Sequence, residues 1–110
     1  MEHRWHARKP INRRVVIESR QLSTIPGAVH NMSQEGAWAT IGPLPLARYA
    51  RIVVHFRPGW DDGLDGHRIE GVVMHRSNDG IGIAFDELDM GTREALNAAL
   101  RENCDRARAA

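Results

Sequence analysis

The chain has 110 residues, 42% of them apolar and 26% charged, with a net charge of +1. That length suits one domain with a single modest core, and the composition excludes both a disordered and a fibrous chain. The near-zero charge argues against a general nucleic-acid binder. The lone Cys104 excludes an internal disulfide, and no apolar run approaches the roughly 20 residues needed to cross a bilayer. With no secretory hydrophobic region, the chain reads as cytoplasmic.

Residues 1–12 carry Arg4, Arg8, Lys9 and two histidines but no periodic apolar pattern. They read as an extended arm, with Pro10 biasing Lys9 toward extended geometry. Arg4, Arg8, Lys9, Arg13, Arg14 and Arg20 face only Glu2 and Glu18 in this part of the chain, so a local basic patch exists on a nearly neutral protein. Trp5 lies between the first two arginines, placed either to tuck against the body of the fold or to stack on a ligand base. Lys9 and Arg13 also stand four apart, but that pair contains Pro10 and runs into the first strand.

From Arg13 the texture changes to short runs rich in Val and Ile. Strands are expected over Arg13–Ser19, Ala28–Asn31, Ala37–Ile41, Ala50–Phe56, Arg68–Arg76 and Ile81–Phe85. Pro26-Gly27, Gly42-Pro43-Leu44-Pro45, the loop from Gly59 to Gly66, and Asn78-Asp79-Gly80 supply the turns. Asn, Asp and Gly accept the left-handed geometry of tight hairpins, so the last of these reads as a hairpin turn. Six short strands without intervening helices imply an all-β antiparallel barrel or sandwich. Closure favours the barrel, because it removes exposed edges. One helix is expected over 92–108, with Thr92 as N-cap and a stripe of Leu96, Ala99, Leu100 and Cys104. That stripe suits packing on the barrel, or failing that a dimer contact.

Catalytic patterns are absent. Asp61, Asp62 and Asp65 do not have the spacing of a calcium loop and read as a solvated acidic loop. His3 and His6 lack a third metal ligand nearby, and no nucleophile stands with a base and an orienting partner. Gly80-Ile81-Gly82 lacks the third glycine of a dinucleotide fingerprint and reads as strand. The expectation is a non-enzyme with no metal and no cofactor.

Two small motifs remain. Asn31-Met32-Ser33-Gln34-Glu35-Gly36 lies between two expected strands, where Asn and Ser favour a turn and Gly admits positive φ and close approach of another molecule. Arg4-x-x-x-Arg8 is the sole arginine pair of that spacing, and a guanidinium fits phosphate, pairs with the N7/O6 edge of guanine and stacks on its face. In this order, some twenty residues apart, the two motifs resemble the signature of the PilZ domain, a bacterial receptor module for cyclic di-GMP. The run Gly80–Phe85 and the helical tail resemble the way that family closes its last strand and ends.

The resemblance implies a six-stranded PilZ-like barrel over 13–86, a ligand-binding N-terminal arm over 1–12 and a C-terminal helix over 92–108, all in one domain spanning 1–110. It implies that Arg4 and Arg8 clamp phosphate and guanine edges and that Asn31 and Ser33 bond a base edge or phosphate. Gly36 leaves room for the ligand, and Lys9 adds a point charge, with Arg13 and Arg14 as supporting charges. The family pattern often has Asp at the position of Asn31. An amide both donates and accepts where a carboxylate only accepts. The implied function is a cyclic di-GMP receptor that changes conformation on binding and signals to a protein partner, as monomer or homodimer. Regulation of motility or biofilm is among the outputs. Two other readings stay open: a PilZ-like adaptor that binds no nucleotide, and a small barrel that holds single-stranded nucleic acid through its basic arm.

Overall fold

The computed structural model describes residues 9–20, 23–42, 46–60 and 62–109. Its elements in order are β1 (Lys9–Ser19), β2 (Ser23–Met32), β3 (Gly36–Ile41), β4 (Arg51–Phe56), β5 (Arg68–Arg76), β6 (Gly80–Phe85) and α1 (Met90–Ala109). All neighbouring strands are antiparallel and the sheet closes in the order β1-β2-β3-β6-β5-β4. The six-stranded antiparallel barrel and the single C-terminal helix are as the sequence implies.

Side-chain alternation builds the core. On β1, Ile11, Arg13, Val15, Ile17 and Ser19 point inward, while Asn12, Arg14 and Glu18 point out. Between β3 and β6 the pairs Ala37/Ile83 and Ala39/Ile81 set small residues against large ones, which lets a narrow barrel fill without voids. β3 and β4 are consecutive in the chain but not neighbours in the sheet, and Leu46, between them in sequence, is buried in the core. Leu64 with Leu96, Ala99 and Leu100 of α1 joins the same core, so the helix stripe packs on the barrel. The side chain of Cys104 lies outside the described residues.

Several expected boundaries move. The first strand begins at Lys9 rather than Arg13, so residues 9–12 belong to the barrel and not to an arm. β2 begins at Ser23 and runs through Pro26-Gly27, which the sequence presents as a turn. Pro26 pairs with Val16 but lies one residue beyond the last β3 partner, Gly27, so no ladder bond on that side requires its missing N–H. A Cβ on Gly27 would stand 2.8 Å from the carbonyl oxygen of Thr40, so here glycine supplies closeness between strands and not a bend. The turn at 77–80 forms through Ser77 N–H donating to the Gly80 carbonyl at 2.9 Å, yet none of its residues has positive φ. Tyr49, between β3 and β4, is the one described non-glycine residue that does, at 70°.

The helix starts at Met90 because Asp89, not Thr92, is the N-cap: its Oδ1 accepts the Thr92 backbone N–H at 2.7 Å. Thr92 is the third helical residue, and its hydroxyl also bonds the same carboxylate. The backbone bond is the main cause, and the side-chain bond the second, that holds the Asp89 carboxyl below its usual range. A depressed carboxyl contributes stability above its unfolded pKa of about 3.9 and loses that contribution as pH falls through the folded value.

The acidic loop is not solvated in the expected way. Asp62 is 2% exposed, and with the fully buried Arg13 it forms a charge cluster inside the barrel. Arg13 Nε donates to Asp62 Oδ2 at 2.8 Å, and its Nη2 donates to Asp65 Oδ1 at 2.6 Å. The guanidinium also sits 5.1 Å from the Trp60 ring and 5.7 Å from that of Phe56. Asp65 in turn accepts the N–H groups of Gly59 and Trp60, and Asp62 accepts that of Leu64. Arg13 is therefore committed within the fold and does not supply a supporting charge to a ligand.

Two outcomes are expected. Asp62→Ala leaves a buried guanidinium short of its main partner and costs about 3–5 kcal/mol in denaturant unfolding. Asp89→Ala lowers the melting temperature at pH 7, and the gap from the unaltered chain narrows as pH is taken below about 4, where the unfolded carboxyl titrates.

Candidate functional site

The Asn31–Gly36 stretch ends β2, turns, and begins β3. Ser33 N–H donates to the Gly36 carbonyl at 2.9 Å and Glu35 N–H donates to Ser33 Oγ at 3.1 Å, which closes a tight polar turn. Ser33 is 4% exposed, so its hydroxyl holds the turn from within. Gly36 does not use left-handed geometry; it is buried and faces Ala84 of β6. Gln34 donates to Asn97 Oδ1 at 3.1 Å and Glu35 accepts the Phe85 N–H at 2.8 Å, tying the turn to α1 and to the end of β6.

Register brings the start of β1 to this turn. Lys9 pairs with Met32 and Pro10 with Asn31. Lys9 is exposed there, beside the motif. Arg4 and Arg8 lie outside the described residues, but Arg8 is bonded to Lys9, so the basic segment joins the barrel at the Asn31 turn. Four of the six expected site residues (Lys9, Asn31, Ser33 and Gly36) thus belong to one neighbourhood.

Asn31 has a property the sequence does not reveal. Its side-chain Oδ1 is buried and has no hydrogen-bond partner among the described residues. A buried amide oxygen left unpaired costs about 1–3 kcal/mol, so such groups call for an explanation at the site where they occur.

Beside the turn a cavity of about 480 Å³ is lined by Gln34, Glu35, Asp86, Glu87 and Arg93 among others, so it carries both signs of charge. Asp86 there is ion-paired with Arg51, whose guanidinium is raised above its usual range first by that hydrogen bond and then by the charge. Lys9 is exposed and pairs with Met32 at the start of the turn. A larger cavity of about 570 Å³, lined by Glu18, Arg48, Tyr49 and Glu70 among others, contains none of the motif residues. Volume alone would therefore misplace the site.

No group of three or more His, Cys, Asp or Glu suited to a metal occurs among the described residues. None of the described helices is long and apolar enough to cross a membrane.

Comparison with known proteins bears on the family and the fold. The PilZ domain family model matches residues 2–102. The crystal structure of the PilZ domain of CeSA from a cellulose-synthesizing bacterium superimposes with a TM-score of 0.69 at 11% identity, covering 88% of this chain and 97% of that one. At that identity the likeness bears on the fold. No curated protein matches the chain in sequence. With nearly its whole length matched, the chain belongs to the PilZ domain family, whose members are generally cyclic di-GMP receptor modules and not enzymes.

Proposed function

We propose that this chain is a single cytoplasmic domain that captures cyclic di-GMP between its N-terminal basic segment and the Asn31 turn, and passes the event to a protein partner. Arg4 and Arg8 clamp phosphate and the guanine edge, with Lys9 adding a point charge. Asn31 offers its amide to the base or to an adjacent phosphate. Ser33 acts chiefly by fixing the turn, and Gly36 keeps the turn free of a side chain. The observation that carries this reading is the unpartnered Asn31 Oδ1 beside the strand that leads directly from Arg8. A guanine N–H would satisfy that oxygen, while an amide in place of the family's usual carboxylate removes a negative charge that would oppose phosphate.

Two requirements of the ligand meet here: cations for its phosphates, and neutral acceptors with donors for its bases. Signalling follows if the segment 1–8 becomes ordered only when the ligand is held, presenting a surface that the free protein lacks.

Calorimetric titration with cyclic di-GMP tests the reading. A charged hydrogen bond contributes about 1.5–3 kcal/mol, so Arg8→Ala weakens binding roughly 10- to 150-fold, whereas Arg101→Ala on the exposed face of α1 leaves it unchanged. No heat with the unaltered chain would assign it to the adaptors that bind no nucleotide. Amide exchange of residues 1–8, compared with and without ligand, is expected to slow on binding. Equal exchange in both states would dismiss the switch.

A further inference from the structure

Five residues on different strands form a continuous row across the outside of the barrel. Pro10 pairs with Asn31, Asn31 with Trp38, Trp38 with Gly82, and Gly82 with His75. The neighbours of Trp38 on β3, Ala37 and Ala39, are both fully buried in the core, so the indole points outward, beside Asn31. All three register shifts of the sheet lie along this row: between Pro10 and Arg13, between Val29 and Asn31, and between Val73 and His75. Such irregularities re-aim side chains and concentrate beside functional sites.

The indole lies flat. A Cβ on Gly80 would meet its Cζ2 at 2.7 Å and its Cε2 at 3.1 Å, and a Cβ on Gly82 would meet its Cε3 at 3.7 Å. The six-membered ring therefore spans both glycines with one face down on the β6 backbone, leaving Trp38 half-buried. His75 borders the same floor, its Cβ 3.4 Å from the place a Gly82 side chain would start. Glycine is a poor strand residue, and two of them alternate here with the buried Ile81 and Ile83. They hold a large, partly exposed aromatic plane against the sheet, on the residue paired with the one that carries an unsatisfied amide oxygen.

We propose that Trp38 is the stacking platform for one purine of the bound ligand. The plane of the base lies on the indole while its edge reaches Asn31, and Gly80 and Gly82 serve as the platform's floor. This rests on the receptor reading above and adds the residue that would select a flat heteroaromatic base over a phosphate or sugar alone. A stacked base loses about 5- to 150-fold in affinity when its aromatic partner is truncated.

The test titrates the full chain, Trp38→Leu and Trp38→Phe with cyclic di-GMP by calorimetry, while NMR follows the Trp38 indole N–H of the unaltered chain. Support takes the form of a 5- to 150-fold loss with Leu, partial recovery with Phe, and a ligand-induced shift of the Trp38 resonance that exceeds the shift at Trp60. If the unaltered chain binds but Trp38→Leu binds equally well, or if the Trp38 resonance stays still at saturation, the platform is refuted and the receptor reading survives. Should the unaltered chain fail to bind, the receptor reading itself falls and takes the platform with it. The NMR arm uses the native residue, so a poorly folding variant leaves the proposal open to refutation.

Discussion

A positive charge at an inward-facing strand position constrains this fold more than any apolar contact does. Arg13 occupies a place on β1 where the alternation asks for a hydrophobe, and it is tolerated because Asp62, Asp65 and two aromatic rings surround the guanidinium. Stripping solvent from such a group is expensive unless it is fully paired. The loop between β4 and β5 has to supply the carboxylates, and those same carboxylates also accept the loop's own N–H groups. One cluster thus sets the path of β1 and the shape of an eleven-residue loop spanning 57–67. Because β1 is held in this way, its first residues arrive beside the Asn31 turn.

The architecture was legible in the sequence because it depends on period and punctuation. Short runs rich in Val and Ile between clear turn signals, with no helical period among them, pointed to an antiparallel barrel or sandwich, and closure favoured the barrel. What misled was chemistry whose outcome depends on distant partners. Pro26-Gly27 has the composition of a turn, and only the neighbouring strands reveal that neither residue needs to bend. Asp62 looks solvated until a guanidinium 49 positions earlier is found beside it. Thr92 and Asp89 are both good caps by type, and the choice between them rests on which N–H the carboxylate reaches.

The site divides along the same line. Asn31, Ser33 and Gly36 stood out as a turn, and Lys9 as a nearby charge, from local sequence alone. Their convergence needed the pairing of Lys9 with Met32. Trp38 carried no local signal at all: one aromatic among small residues fits a core as well as a surface. The alternation of Ala37 and Ala39 decides its direction, and the glycines three strands later in sequence decide its tilt. A reading that paired every aromatic in a strand with glycines at matching registers would have found it.

The ring of six strands also limits how this protein can be read by others. Most of the sheet is bonded on both sides, so an incoming peptide could extend it only where a ladder stops, as along Lys9 to Arg14 of β1, which have no β4 partner. Elsewhere, on the barrel wall and on the exposed face of α1, only side chains are offered to another molecule. A barrel built this way presents mainly surface chemistry, which is free to diverge while the strands stay the same.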